Sequence, residues 1–300
     1  MEKITPRIDL AFKKIFGVEE NKDLLISLVN SIVSQEDQVK DLTLLNPYNP
    51  KNFKEDKLSI LDIKAEGEDG KRFNIEIQIT DEADYDKRAL YYWGKLYTEQ
   101  LQSGDEYSKL SKAIGIHILN FTSILETPQY HNVFVLTEKD LGLRFFTDIE
   151  LHTIELNKFV AGVDKELSEL VKRIKTSLDI WAAFLTRHDL LKKNDLPPSL
   201  NTPALKKALD TLDIMNFDCE EREAYEERLK WFRVEANTLK KYENKGFEQG
   251  LEQGLEKGLE KGREERTVEI ARAMQSKGMD LETISSITGL ALEALQKELN

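Results

Sequence analysis

The stretch LSILDIKAEGEDGKRFNIEIQIT, residues 58–80, contains two short apolar runs joined by a glycine-bearing turn. Alternate residues of a strand share a face, so Phe73, Ile75, Ile77 and Ile79 point one way while Glu76 and Gln78 project together on the other. Loop length decides whether Asp62 joins that polar face. A two-residue Asp69-Gly70 loop pairs Glu68 with Lys71 and puts Asp62 and Glu76 on opposite faces. A three-residue loop, Glu68-Asp69-Gly70, with Gly70 at positive φ, pairs Gly67 with Lys71 and sets Asp62 opposite Glu76. The expectation is the three-residue loop. Like charges opposed across a hairpin destabilise it unless a cation lies between them, so the pair points to a divalent-cation site. The plain alternative is an amphipathic hairpin whose polar face is solvated.

Upstream, TPRIDLAFKKIFG (residues 5–17) predicts a short amphipathic helix with Ile8, Phe12, Ile15 and Phe16 on its apolar face, Thr5 as cap, Pro6 in the first turn and Asp9 on the flank. Downstream, DYDKRALYYWGKLYTEQLQSGDEYSKL (residues 84–110) predicts a helix that buries Leu90, Trp93, Leu96, Tyr97 and Leu101 and ends near Gly104. With PRIDLAFKKIFG, LDIKAEGEDGKRFNIEIQ and RALYYWGKLYTEQLQSGDEYSKL in that order, about the first 150 residues resemble the Rpn recombination-promoting nucleases and transposases of the PD-(D/E)XK superfamily.

That resemblance implies an α/β fold: a restriction-endonuclease-like core with a mixed central sheet flanked by helices, followed by an α-helical region and a helical tail. It implies a metal-dependent DNA endonuclease linked to recombination or mobile elements. Asp62 and Glu76 would hold Mg2+ or another divalent cation, with Asp9 reaching it through water, and Gln78 would orient the attacking water. The usual residue at that place is Lys; Gln cannot take a proton at neutral pH, so the metal must supply the activation. Lys64 shares the face of Asp62 and offers a positive charge near the leaving phosphate, or is simply a solvated strand lysine. Arg88, Tyr91 and Tyr92, near the strand-to-helix junction, are candidates to meet a DNA phosphate; an aromatic stripe also fits ordinary core packing.

The composition accommodates such an enzyme. Three hundred residues, 40% hydrophobic and 33% charged, allow an ordinary domain with a helical half appended. A net charge of −12 excludes retention on nucleic acid by bulk electrostatics, so any basic groove must be local. The single Cys219 excludes an internal disulfide. The chain lacks a long apolar run and a recognisable signal peptide, which makes a soluble, cytoplasmic protein with no membrane partner the expectation. Strands are expected at AIGIHILNF (113–121), which reads as central, at NVFVLTE (132–138) and within DIELHTIELNKF (148–159). His117, His131, His152 and His188 match no metal-ligand spacing, and their apolar neighbours suggest strand positions. No phosphate-binding glycine loop or nucleophile elbow occurs.

The resulting domains are 1–160 (nuclease), 161–243 (helical), 244–266 (glycine repeat) and 267–300 (a helix-turn-helix-like tail). Lys192, Lys193, Lys206 and Lys207 of the second region line a DNA path or a solvated face. In KGFEQGLEQGLEKGLEKGREE (245–265) glycine recurs every fourth residue from Gly246 to Gly262. Each such glycine costs a helix about 1 kcal/mol relative to alanine, and a four-residue period drifts about 40° per repeat around the axis. Close helix packing between copies would offset that cost and make the chain a homo-oligomer; the alternative is a linker. In the tail, Asp280 is a helix cap and Gly289 a break, but ALEALQKEL is too acidic to read a major groove convincingly. The competing function is a nuclease fold that binds DNA or partners without cutting, or a regulator that titrates other copies.

Overall fold

The computed structural model describes residues 4–46, 63–81, 84–162 and 166–299. Among them, β1 Leu42–Leu44, β2 Ile63–Gly67, β3 Arg72–Gln78, β4 Ala113–Leu119, β5 His131–Val135 and β6 Ile149–Glu155 form one sheet in the order β1-β2-β3-β4-β6-β5. The β3–β4 and β4–β6 pairs are parallel and the others antiparallel, so the sheet is mixed. β4 is buried along its whole length, as its apolar run AIGIHIL requires of a central strand.

The hairpin adopts the three-residue turn. Ile63 faces Ile75, Ala65 faces Phe73, and the Gly67 N–H donates to the Lys71 carbonyl at 2.8 Å. Gly70 carries the turn at φ 81°, where any side chain would be strained. Asp62 lies outside the described residues.

One face of the sheet holds the main core. Phe73, Ile75 and Ile77 of β3 and Ile114, Ile116 and Ile118 of β4 pack with α1 Asp9–Phe16, α2 Lys22–Ile32, α6 Ser177–Arg187 and α7 Pro203–Asp213. Phe16 anchors this layer edge-on to Trp181 and Phe184. The core cluster runs from Phe12 to Leu212, and so across position 160. Capping fits the sequence locally: Thr176 and Asp179 make a reciprocal capping box on α6, and Thr202 caps α7 ahead of Pro203. The other face is covered by α3 Tyr85–Thr98, whose Tyr85 and Ala89 meet Leu119 and Phe121.

Three local expectations are corrected, and one strand is added. α1 begins at Asp9, so Thr5 does not cap it; the Thr5 N–H is instead bonded to the Tyr225 hydroxyl. On α3 only Leu90 departs from the expected inward stripe: it is exposed, while Leu96 is buried and Trp93, Tyr97 and Leu101 are half-buried. Tyr85 and Ala89 complete the inner face, where Trp93 bonds the Ala113 carbonyl at 2.8 Å and Arg88 meets Glu76. β1 pairs with β2 although its three residues are too few to show a period. His188 opens a 3-10 turn rather than sitting in a strand.

Contacts divide the chain into units 1–232 and 233–300. α8, Cys219–Ser276, runs through the glycine repeat as continuous helix, with Phe247, Leu251, Leu255 and Leu259 exposed. In the second unit, Ala271, Ile284 and Leu295 form a small cluster with α9 Leu281–Thr288, capped by Asp280 and ended by Gly289 at φ 75°, and α10 Leu292–Leu299.

At the edge of the main core runs a chain of charge. The Lys112 ammonium donates to Asp37 at 2.7 Å and Glu150 at 2.9 Å; His152 bonds Glu150 at 2.9 Å, and His131 bonds His152 at 3.0 Å. The bonds from His152 and Lys112 outweigh burial and hold the Glu150 carboxyl at about 2, against 4.5 ordinarily. Burial, with His152 beside it, lowers His131 from 6.5 to about 4. Both groups bind protons less readily folded than unfolded, so each contribution to stability is full at neutral pH. That of His131 is lost as pH falls from 6.5 to about 4, and that of Glu150 from 4.5 to about 2. Melting temperature measured against pH should therefore begin to fall near 6.5, and in His131→Gln the fall should begin nearer 4.5. Superimposable profiles for the two proteins would contradict this account.

Candidate active site

The face of β3 that carries Asn74, Glu76 and Gln78 is not solvated. All three side chains are buried beneath α3, and Glu76 is only 8% exposed. A buried carboxylate needs compensation, because taking it out of water costs several kcal/mol. Glu76 Oε1 receives the Arg88 guanidinium from α3 at 3.4 Å. Its Oε2 lies 3.7 Å from His117 Nδ1 and, although buried, has no hydrogen bond among the described residues.

Three elements build this arrangement. The period of β3 puts Glu76 on the α3 side, and the parallel register sets His117 of β4 beside it as its direct Cα partner. The first turns of α3 then place Tyr85 edge-on to the His117 ring at 5.7 Å and Arg88 within 5.9 Å of the Tyr85 ring. Gly115 leaves room for the imidazole; an added Cβ there would lie 2.6 Å from Leu151 Cδ2 and 3.1 Å from His117 Nε2. Gln78, two residues beyond Glu76 on the same face, donates its side-chain N–H to the Thr80 carbonyl at 3.1 Å.

The structure thus brings together Glu76, Gln78 and Arg88 of the residues singled out from the sequence. Asp62 falls outside the described residues. Lys64 is in an ion pair with Glu99 at 3.3 Å, and Asp9 with Arg228 at 3.4 Å. Burial raises the Asp9 carboxyl above the ordinary carboxylate range, against the pull of Arg228 and the Leu10 N–H. Tyr91 is exposed and meets the edge of Tyr92 at 5.6 Å. Of the lysines considered for a DNA path, Lys193 is paired with Asp210 and Lys207 with Asp23. Sequence reasoning missed His117 and Tyr85. The signal for His117 was one polar residue inside an otherwise apolar strand, the same signal that marked Glu76.

A metal fits the donor chemistry. A carboxylate oxygen and an imidazole, all buried without hydrogen bonds and adjacent, are ordinary ligands for divalent ions. Among the described residues no group of three or more His, Cys, Asp or Glu side chains converges, so Glu76 and His117 form a pair and not a complete cluster.

Residues 6–242 match the family described as PD-(D/E)XK nuclease family transposase, which is well over half of the chain. The chain therefore belongs to the PD-(D/E)XK nuclease family of transposases. Residues 264–298 match the C-terminal helix-turn-helix domain of the Rpn/YhgA-like nuclease family, which specifies the branch and covers α9 and α10. Comparison with curated proteins and with solved structures gave no match.

Gly115 and Gly94 provide a paired test of the packing around the site. Gly115→Ala forces an overpacked contact and should lower stability by about 1–3 kcal/mol in denaturant unfolding. Gly94→Ala, in α3 with nothing within 4 Å among the described residues, should be neutral or stabilise by up to about 1 kcal/mol. Equal effects at the two positions would mean that Leu151 and His117 do not crowd Gly115.

Proposed function

We propose that the chain is a metal-dependent endonuclease that hydrolyses DNA phosphodiester bonds, with Asp62 and Glu76 as metal ligands and Gln78 positioning the attacking water. The observation that carries this reading is Glu76: a carboxylate under a helix whose second oxygen is buried without a hydrogen bond. The hairpin register lends support, since its last described pair, Ile63 with Ile75, is one residue short of Asp62 and Glu76. Bound there, a divalent cation would supply the activation of water and neutralise charge on the phosphate.

The remaining steps fall to the protein. Arg88, already directed at Glu76, offers a guanidinium to a phosphate oxygen entering beside it. Gln78 holds a water by its amide but leaves deprotonation to the bound ion. Asp9 and Lys64 would each have to leave an ion pair, with Arg228 and Glu99, to reach metal or phosphate. Tyr91, exposed near Arg88, is available to contact DNA. The second reading, a nuclease fold that binds DNA or partners without cutting, is favoured by Gln78 in place of a lysine. No helix among the described residues is long and apolar enough to cross a membrane. A cytoplasmic location is part of the proposal.

Plasmid nicking with variants decides between the readings. Glu76→Gln, which keeps side-chain volume beside Arg88, and Asp62→Ala should each reduce cleavage to background with an unchanged circular dichroism spectrum. Gln78→Ala should lose only part of the activity, and Gln78→Lys should retain or raise it. Parent-level cutting by both carboxylate variants would sink the metal-site reading. A parent protein that binds DNA and never cuts would leave the second.

The proposal extends to self-association through α8. Glycines in the repeat cost the helix roughly 5 kcal/mol relative to alanine, and Gly250, Gly254, Gly258 and Gly262 have nothing within 4 Å among the described residues. Packing against the same helix of another copy would offset that cost. Deleting residues from Gly246 onward should lower the mass measured by light scattering to that of one chain. An unchanged assembly state would make the repeat a linker.

A further inference from the structure

We infer that His117 is a nitrogen ligand of the Glu76 cation site, so that a first-row transition cation such as Mn2+ is preferred there over Mg2+. The inference rests on the metal-site reading of Glu76 and adds to it a ligand and a selectivity.

His117 is 2% exposed, and neither of its ring nitrogens has a hydrogen bond among the described residues. That is unusual: a buried neutral imidazole ordinarily donates through one nitrogen and accepts at the other, and leaving both unmet is costly. The other strand histidines behave ordinarily, His131 and His152 bonding each other and His152 bonding Glu150. An imidazolium paired with Glu76 would not account for the geometry. Charge-assisted bonds close to about 2.7–2.9 Å, whereas Nδ1 stands 3.7 Å from Oε2. Arg88 moreover already answers the charge of Glu76 on its other oxygen.

The spacing suits a shared ion. Two ligand atoms about 2.1 Å from one cation are about 3.0–3.4 Å apart in octahedral or tetrahedral geometry, so the observed gap needs to close by only a few tenths of an ångström. The ring is also held for the task. Tyr85 meets it edge-on at 87°, and Gly115 lies under Nε2, which leaves Nδ1 toward the carboxylate. Because the strands are parallel and the two residues are direct partners, both donors project from one face with no loop between them. Imidazole is a poor ligand for Mg2+, which demands hard oxygen donors, and a good one for transition cations.

Calorimetric titration of the full-length protein with MnCl2 and with MgCl2 tests this without reference to cleavage. The parent should bind Mn2+ at least about tenfold more tightly than Mg2+. His117→Ala should weaken Mn2+ about 10- to 100-fold and change Mg2+ by less than about threefold, and Glu76→Gln should lose both ions. If His117→Ala keeps the parent ratio while Glu76→Gln loses both, the inference is wrong and the metal-site reading stands. If the parent binds neither ion, both fall. Should His117→Ala fail to fold, electron spin echo spectroscopy of the Mn2+-loaded parent decides: modulation from a directly bound nitrogen is expected, and its absence overturns the proposal.

Discussion

A carboxylate buried between a sheet and a helix has to be met by charge, and the nuclease unit is organised around meeting the one at Glu76. Desolvating an isolated carboxylate costs several kcal/mol, a large share of the net stability of a domain. Arg88 supplies part of the compensation from the first turns of α3, which ties the helix to the sheet at one point; the Trp93 bond to Ala113 ties it at a second. Between these anchors α3 is held over β3 and β4 with Tyr85 against His117. Among the described residues, Glu76 Oε2 and both nitrogens of the His117 ring have no hydrogen bond, which is the basis of the proposed ion site.

The fold pays attention to opposite demands on the two faces of the same strands. Toward α1, α2, α6 and α7, β3 and β4 present only aliphatic and aromatic side chains, which form the large core cluster. Toward α3 they present Asn74, Glu76, Gln78 and His117, polar and nearly as inaccessible. The charged chain from Asp37 through Lys112 and Glu150 to His131 differs in kind. There nearly every donor faces an acceptor, so it acts as a structural network with a pH signature, while the Glu76 site retains open acceptors among the described residues.

What the sequence made legible were features set by neighbours along the chain. The period of two in RFNIEIQ and the glycine of the turn determine the hairpin register, and Gly70 takes its positive φ because a three-residue turn needs it. An apolar run identified β4 as central, and Asp280 and Gly289 marked the ends of α9. Long-range geometry was not legible. That His117 adjoins Glu76 depends on parallel pairing across the α3 crossover, which no local pattern fixes. The rotation of α3 is set by long-range ties, Arg88 to Glu76, Trp93 to Ala113 and Tyr97 to Asp148, and these leave Leu90 exposed. The ion pairs of Lys64 with Glu99 and of Asp9 with Arg228 join distant segments, so no local pattern shows that either residue is engaged.

Crystals grown with Mn2+ and measured at its absorption edge test the central claim most directly, because anomalous scattering locates the ion without relying on activity. The account requires an anomalous peak at coordination distance, about 2.0–2.3 Å, from Glu76 Oε2. A protein that cuts DNA in Mn2+ yet shows its anomalous density elsewhere, with only solvent beside Oε2, would contradict it.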